Sequence, residues 1–410
     1  MPEISAGDTA WVLMSAAFVM LMTPGLALFY GGLVRSKNVL STIMHSFFIL
    51  ALVSVTWVLW GYTLAFGPDT GLGLIGGLDW LGLDGVTGEP SSVYATTVPH
   101  LAFMSFQMMF AIITPALITG AFAERKRFKA FVLFAVIWST LVYAPIAHWV
   151  WSPDGWLFGL GMLDFAGGTV VHLSSGVAAL VAALFIGRRT GLIAPATEPH
   201  DVPMTILGAG LLWFGWFGFN AGSALAANGL AATAFVTTNT AAAMAALTWV
   251  TLSWLHRGTP SVLGAAIGAV AGLVAITPAA GYVTPGAAVL IGMGVGIVCY
   301  GAALLRLRAR VDDALDVFSV HGVGGAIGAL ATGIFATTAV NAGGLDGLLA
   351  GNPGQLGVQA LGVGVVALYS AAATAAILVI VNLVVPIRVP RPAEEAGLDL
   401  AQHGEIAYQP

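Results

Sequence analysis

The sequence predicts an all-α polytopic membrane protein with eleven transmembrane helices. Its composition is the first observation: of 410 residues, 58% are hydrophobic and only 8% are charged, whereas a soluble domain carries about 25% charged residues. Second, apolar runs of roughly 17 to 25 residues, the length that crosses a bilayer as a helix, recur along nearly the whole chain. Third, the basic residues occur only in alternate connections between these runs. A soluble globular fold is therefore excluded.

Each predicted span is an apolar run between clusters of charged or turn-forming residues. The membrane domain comprises residues 1–386, and residues 387–410 form a charged tail. Because no basic segment precedes the first run, we expect no cleaved signal peptide. The runs lie near residues 9–31, 40–66, 99–122, 128–150, 167–187, 203–223, 230–255, 261–277, 285–305, 317–338 and 355–386.

The distribution of basic residues tests this count of spans. All fourteen lysines and arginines fall in alternate connections or in the tail, and the remaining connections contain none. By the positive-inside rule the basic connections are cytoplasmic, so the N-terminus is outside and the C-terminus inside. The residues are Arg35, Lys37, Arg125, Lys126, Arg127, Lys129, Arg188, Arg189, Arg257, Arg306, Arg308, Arg310, Arg388 and Arg391.

Eleven spans divide into two groups of five and a last helix. Because five is an odd number, two structural copies of five spans must have opposite orientations in the membrane, as in many transporters with inverted repeats. The predicted repeats cover about 9–187 and 203–338, and the last helix covers about 355–386. Each repeat carries a histidine near the start of its fifth span, His172 in the first and His321 in the second.

The two histidines are the first candidate functional residues. A histidine in a helix is often only a satisfied core residue, but ionisable groups inside a membrane are expensive and usually functional. Matching positions in an inverted pair predict a shared site at the midplane. Two neutral imidazoles can hydrogen-bond each other and still offer a donor or acceptor, which suits a small polar neutral molecule or a proton relay. Zinc needs further ligands, so we expect no metal.

Aromatic side chains concentrate toward the predicted outer ends of the spans. Phe103, Phe106 and Phe110 are spaced by three and four residues and share one helical face. Most of these aromatic residues are expected to form the interfacial belt, and a subset that points inward would form a cage for a cation. The other members are Trp149, Trp151, Trp156, Trp213, Trp216, Phe217 and Phe219.

Several long motifs occur in one order along the chain. They are Pro24-Gly-Leu-Ala-Leu-Phe-Tyr-Gly-Gly-Leu-Val-Arg35, Ala121-Phe-Ala-Glu-Arg125, Asp164-Phe-Ala-Gly-Gly-Thr-Val-Val-His172, Trp213-Phe-Gly-Trp-Phe-Gly-Phe-Asn220-Ala-Gly-Ser223, Arg310-Val-Asp-Asp313-Ala-Leu-Asp-Val-Phe-Ser-Val-His321-Gly and Gly397-Leu-Asp-Leu-Ala-Gln-His-Gly-Glu405. Together they resemble the ammonium transporter family, whose relatives include the Rhesus glycoproteins. The resemblance covers the whole chain.

This resemblance implies a homotrimer in the plasma membrane, in which each subunit has its own narrow hydrophobic pore for ammonium nitrogen. It implies an outer ammonium-binding site at Phe110, Trp151 and Ser223, a gate at Phe110 and Phe219, and pore histidines at His172 and His321. It further implies that the tail is a regulatory segment and that a cytoplasmic PII-type protein controls the transporter through it. Neither enzymatic activity nor a cofactor, a metal or a nucleic-acid partner is expected. Supporting positions are Asp164, Phe106, Trp216 and Asp313.

The expected mechanism recruits NH4+ at the aromatic site, deprotonates it and conducts NH3 past the histidines, with the path of the proton left open. Asp164 is expected to bond backbone amides near the outer mouth. A passive NH3 or CO2 channel of the Rhesus type is the first alternative, and an ammonium sensor is the second. No signalling domain follows the tail motif in this sequence, which favours transport over sensing.

Overall fold

The computed structural model describes residues 3–191 and 199–408. In those two ranges ten helices are long and apolar enough to cross a membrane, and an eleventh, Val262–Ile276, is apolar but shorter. The predicted fold class is confirmed, with eleven apolar helices in the predicted order. The long spans are Ala6–Leu33, Ser36–Phe66, His100–Phe122, Phe128–Gly159, Gly168–Ile186, Val202–Ala224, Gly229–Arg257, Pro285–Ala309, Phe318–Phe335 and Pro353–Val384.

Most span ends differ from the prediction by a few residues. The fourth span extends furthest beyond it, because a short helix follows Trp151 at its outer end. The α-helical segments are Ala6–Leu33, Val39–Thr56, Tyr62–Phe66, His100–Ile118, Phe128–Trp138, Ala144–Trp151, Trp156–Gly159, Ser174–Ile186, Val202–Trp216, Gly229–Arg257, Val262–Ile276, Pro285–Ala309, Val323–Phe335, Pro353–Val384 and Arg391–Ala396.

Wider and tighter turns interrupt several spans. Single π turns within helices are frequent at functional sites. Here they lie at Trp57–Gly61, Ser139–Tyr143, Gly168–Leu173, Phe217–Ala221, Phe318–Gly322 and Asp399–His403. Short 3-10 turns lie at Ser36–Asn38, Leu81–Leu83, Thr119–Phe122, Gly222–Ala224 and Leu348–Ala350. In the outer connection, strands β1 (Pro90–Ser91) and β2 (Ala95–Pro99) form an antiparallel hairpin.

Polar side chains cap the starts of several spans. Ser5, Asn228, Ser261 and Thr284 each precede a helix and accept a hydrogen bond from a backbone N–H of its first turn. These N–H groups have no partner within the helix, so the cap supplies one. The seventh span ends at Arg257, where Gly258 has a left-handed φ of 80°.

The basic connections meet at one end of the helix bundle, around Glu124. Its buried carboxylate lies 2.7 Å from the Arg35 guanidinium and 3.2 Å from that of Arg189. Arg189 also pairs with Asp312 at 2.8 Å. Burial opposes ionisation of Glu124, but the two arginines outweigh it and hold the pKa of this carboxyl below its usual value. The motif residue Glu124 therefore joins three of the basic connections.

The fifth and tenth spans have opposite directions, as an inverted repeat requires. Arg189 follows the end of the fifth span, whereas Asp312 precedes the start of the tenth, and the two side chains form an ion pair. The end of one span thus lies beside the start of the other. This pair fixes the relative direction of the two helices that carry the histidines.

Candidate functional site

The histidines meet where the fifth and tenth spans cross. His172 lies in the π turn Gly168–Leu173 and His321 in the π turn Phe318–Gly322. Their Nδ1 atoms are 3.3 Å apart, and the ring centroids are separated by 5.3 Å. The two residues are 1% and 4% exposed, so the pair is buried within the bundle.

A glycine allows this close crossing. A Cβ atom at Gly176 would lie 2.1 Å from the backbone nitrogen of Gly322, which is closer than any side chain tolerates. Small residues let transmembrane helices approach through their backbones. Gly176 is one turn beyond His172, and Gly322 follows His321 directly. The same contact that joins the spans therefore sets the spacing of the two rings.

Aromatic rings surround His172 on its outer side. The Trp216 ring stacks on it at a centroid distance of 5.3 Å, and the Phe219 ring does so at 5.8 Å. The Trp216 indole N–H donates to the hydroxyl of Thr277 at 2.9 Å, which fixes the orientation of the indole. The Nε2 atom of His172 is buried and has no hydrogen-bond partner in the described part of the chain. It is available to a small molecule.

The two predicted gate residues pack against each other beside the His172 ring. The Phe110 and Phe219 rings lie 4.3 Å apart with an interplanar angle of 42°. Phe106 packs edge-on against Phe110 at 4.9 Å, and Trp151 does so at 5.8 Å. The third and sixth spans therefore supply a constriction of aromatic rings directly outside the His172 ring.

A cavity of about 550 Å³ adjoins the Phe110 ring, and we call it the outer cavity because it lies at the end of the bundle that is predicted to face outward. Its lining includes Phe106, Phe110, Trp151 and Ser223, so the structure brings these predicted residues together. The Ser223 hydroxyl donates to the Phe219 carbonyl at 2.8 Å, so its proton is engaged and its oxygen lone pairs remain available to a ligand. Ring faces and hydroxyl oxygens are groups that attract a cation.

Asp164 holds the loop that precedes the first histidine. Its carboxylate accepts hydrogen bonds from the backbone N–H groups of Gly167, Gly168 and Thr169 at 2.7–2.8 Å, and from the Thr169 hydroxyl. Gly167 has a φ of 112°, a conformation that favours glycine. Burial raises the pKa of the Asp164 carboxyl, and these hydrogen bonds offset part of that rise. The side chain thus organises the start of the fifth span.

Asp313 occupies the corresponding place in the second repeat. It lies eight residues before His321, as Asp164 lies eight residues before His172. The Asp313 carboxylate accepts a hydrogen bond from the Phe318 N–H at 2.7 Å at the start of the tenth span. Burial, together with the nearby charge of Asp316, raises the pKa of Asp313 to about 6. Both carboxylates thus act as caps of the helices that carry the histidines.

Sequence reasoning missed several polar groups of this region. Gln107 lines the outer cavity, and its buried Oε1 atom has no partner among residues 3–191 and 199–408. Tyr282 and Asn341 reach the cavity from distant parts of the chain. Gln359 on the last span accepts from the Leu163 N–H at 2.8 Å and donates to its carbonyl at 2.7 Å, next to Asp164. Gln107 and Gln359 each place a polar amide within an apolar run, and this was the sequence feature that could have indicated them.

In the described ranges, no group of three or more His, Cys, Asp or Glu side chains could hold a metal ion. The site instead consists of an aromatic cavity, the closely packed rings of Phe110 and Phe219, and two linked imidazoles. Such an arrangement can attract a cation at its outer end but offers a bare charge no compensation at the constriction. It can pass a small neutral molecule that hydrogen-bonds to imidazole.

Comparison with known proteins decides the family. The model of the Ammonium Transporter Family matches residues 10–408. The chain belongs to the ammonium transporter family. An ammonium transporter of Bacillus subtilis (strain 168) is 54% identical over 404 residues, which cover 98% of each chain. Ammonium transporter Amt1 of Archaeoglobus fulgidus is 48% identical over 405 residues, covering 99% of this chain and all of that protein.

Solved structures give the same result. The crystal structure of Saccharomyces cerevisiae Mep2 superposes with a TM-score of 0.89 at 39% identity and covers 95% of this chain and 89% of that one. The resemblance inferred from the motifs is therefore confirmed. This member of the ammonium transporter family is a multi-pass membrane transporter.

Proposed function

We propose that this transporter recruits NH4+ at the outer cavity, removes its proton and conducts NH3 through the aromatic constriction. The ring faces of Trp151 and Phe110, with the Ser223 oxygen, replace part of the water that the cation loses, each ring contributing about 0.5–2 kcal/mol. The observation that carries the proposal is the contact between His172 and His321 at 3.3 Å, behind apolar rings.

Deprotonation explains how such a site selects its substrate. Moving a charge into the apolar centre of a bilayer is costly. Potassium also binds to ring faces but has no proton to release, so the Phe110 and Phe219 gate excludes it. Ammonia, once neutral, can pass the gate and hydrogen-bond to the two imidazoles. Selectivity on this account depends on loss of a proton and on hydrogen bonding rather than on size.

The path of the proton distinguishes this proposal from a passive gas channel of the Rhesus type. Release of the proton to the outer side, or passage of a neutral gas only, moves no net charge. Transfer of the proton along the histidine pair moves one charge with each ammonia. The linked Nδ1 atoms of His172 and His321 support the second path, because they provide a hydrogen-bonded connection behind the constriction.

The assembly and orientation are also proposals. We infer a homotrimer in the plasma membrane, with the N-terminus outside and the C-terminus in the cytoplasm. The meeting of the basic connections at one end supports this orientation.

The tail lies against that end of the helix bundle. The Asp399 carboxylate accepts hydrogen bonds from the Leu40 and Ser41 N–H groups, and the Gln402 side chain accepts one from the Phe128 N–H. A docked tail is a suitable target for a cytoplasmic regulatory protein of the PII type.

The experiment measures ammonium uptake and charge movement together in proteoliposomes. We expect His172→Ala or His321→Ala to abolish selective uptake or to let potassium compete for it. His200→Ala is the control, since His200 lies at the inner end, bonded to the Val34 carbonyl at 2.8 Å. Unchanged flux and selectivity in both pore variants would overturn the proposal. Ammonium uptake without current in the wild type would exclude proton transfer along the histidine pair and would leave outward release of the proton or a passive channel.

A further inference from the structure

We propose that Gln359, on the last span, is a positioning residue of the outer ammonium site. It holds the backbone of Leu163 and thereby places the next residue, Asp164, whose carbonyl fixes the Trp151 ring. The inference rests on the proposed function, in which that ring binds NH4+. Gln359 itself is fully buried, so it acts on the substrate through these groups.

The side-chain amide of Gln359 uses every hydrogen bond that it can form. Its Oε1 atom accepts from the Leu163 N–H at 2.8 Å and from the Gln355 side-chain amide at 3.3 Å. Its Nε2 atom donates to the Leu163 carbonyl at 2.7 Å and to the Ala329 carbonyl of the tenth span at 3.0 Å. A glutamine offers two donors and two acceptor sites. The amide therefore has one orientation, because a flipped amide would place its NH2 group against the Leu163 N–H.

The last span also holds the two residues that precede this contact. The Gln355 side-chain amide donates to the Gly161 carbonyl at 2.9 Å. A Cβ atom at Gly362 would lie 2.3 Å from the Met162 sulfur, so the Met162 side chain packs directly on the backbone of the last span. One helix thus contacts three consecutive residues, 161–163, just before the loop that begins the fifth span.

Asp164 transmits this position to the outer site. The Leu163 carbonyl held by Gln359 belongs to the peptide unit that leads into Asp164, and a peptide unit is planar and rigid. The Trp151 indole N–H donates to the Asp164 carbonyl at 2.9 Å. The Trp151 ring in turn lines the outer cavity and packs edge-on against Phe110 at 5.8 Å. The orientation of this ring therefore depends on a glutamine of the last span.

A second anchor holds the same loop and limits the effect of losing Gln359. The Phe165 N–H donates to the Pro278 carbonyl at 3.1 Å, and this backbone contact does not involve the last span. Substitution of Gln359 should therefore shift the loop rather than unfold it. The Trp151 ring would lose its position against the bound cation while transport continues.

Uptake by proteoliposomes over a range of ammonium concentrations tests the proposal. Gln359→Met keeps the length of the side chain and removes its four hydrogen bonds. We expect it to raise the half-saturating ammonium concentration by about twofold to thirtyfold, the contribution of one cation–π contact. A merely structural role would reduce the amount of folded protein, which lowers the maximal rate and leaves the half-saturating concentration unchanged.

Thr374→Val is the matched control on the same helix. The buried Thr374 hydroxyl accepts from the Trp138 indole N–H at 3.0 Å. It lies about 22 Å along the helix from Gln359, at 1.5 Å for each residue. The variant removes a buried hydrogen bond of the last span without touching the Asp164 loop. Its half-saturating concentration should equal that of the wild type.

Gln359→Glu is the conservative variant and provides the measurement if Gln359→Met does not fold. In the neutral form that burial favours, the new carboxyl group still offers one donor and one acceptor to Leu163. The half-saturating concentration should therefore lie between those of the wild type and Gln359→Met. A value equal to the wild type for both variants would refute the positioning role.

A double variant separates this inference from the proposed function. If Gln359 acts through the Trp151 ring, Gln359→Met should cause no further increase in the half-saturating concentration of Trp151→Ala. A further increase in the double variant would refute the inference and leave the outer site intact. An unchanged half-saturating concentration in Trp151→Ala alone would instead refute the outer site of the proposed function, and this inference with it.

Discussion

The Nδ1 atoms of His172 and His321 face each other at 3.3 Å, although 149 residues separate them in the chain. In a hydrogen bond between two neutral imidazoles, one Nδ1 carries a proton and the other accepts it. The first ring then has a bare Nε2 and the second has an Nε2–H. The pair therefore presents one acceptor and one donor along the passage. Ammonia, which both donates and accepts, can bond to each in turn.

Asp164 offers the first prediction. In Asp164→Asn, one carboxylate oxygen becomes an NH2 group, which cannot accept a hydrogen bond. The N–H groups of Gly167 and Gly168, which share Oδ1, or the N–H group of Thr169, which donates to Oδ2, therefore lose their acceptor. Loss of satisfied buried donors costs about 1–3 kcal/mol. We expect the variant to lose that much stability, measured by thermal unfolding in detergent, and most of its ammonium uptake.

Asp154→Asn is the control for this variant, because Asp154 is exposed in the same outer connection. It should retain both stability and uptake. The opposite pattern for Asp164→Asn, with wild-type stability but no uptake, would contradict a role in holding the loop. It would indicate that the charge of the Asp164 carboxylate acts on the substrate itself.

Two ion pairs of equal length provide the second prediction. Glu124 lies 2.7 Å from Arg35, and Glu395 lies 2.7 Å from Arg391. The Glu124 side chain is fully buried, whereas those of Glu395 and Arg391 are 54% and 77% exposed. Breaking a buried pair leaves an uncompensated charge and costs about 3–5 kcal/mol. Breaking an exposed pair costs about 0–1 kcal/mol.

We therefore expect Glu124→Gln to lower the unfolding temperature sharply and Glu395→Gln to leave it almost unchanged. The measurement is a thermal unfolding curve for each purified variant at the same salt concentration. Similar small effects of both substitutions would show that Arg35 and Arg189 find other partners when Glu124 is neutral.

The spans and the histidines could be predicted from sequence because both leave local signals. A long apolar run is visible in the chain itself, and His172 or His321 within such a run is conspicuous. No local pattern indicated the ion pairs of Glu124, because its partners Arg35 and Arg189 lie in other connections and contact it only in the folded protein. The same reason hides the partner of Gln359, since Leu163 lies 196 residues earlier in the chain.

The resemblance to a family extended the prediction to residues with ordinary surroundings in sequence. Nothing local distinguishes Phe110 from Phe103, which share a helical face. In the structure Phe110 packs on the gate residue Phe219 at 4.3 Å, whereas Phe103 stacks on Tyr94 at 4.9 Å. Which neighbour each ring meets is decided by the packing of spans that are distant in sequence. Periodicity alone could not provide that information.

Lys126, a feature that no pattern indicated, gives the last prediction. It is 1% exposed, and its Nζ lies 3.7 Å from the centroid of the Phe122 ring and 4.0 Å from that of Phe134. Burial holds the pKa of this amine well below its usual range. Between that lowered pKa and the usual value of about 10.4, the unfolded chain binds more protons than the folded one, so stability rises with pH.

The rise attributable to Lys126 is at most about 1.4 kcal/mol for each pH unit in that window. Lys126→Met removes the titrating group and keeps an apolar side chain of similar length. We therefore expect the wild type to gain more stability than the variant between pH 7 and pH 9, measured by unfolding in detergent. Lys129→Met, at an exposed position, should behave like the wild type. Equal slopes for wild type and Lys126→Met would show that the ring faces of Phe122 and Phe134 keep the amine charged at neutral pH.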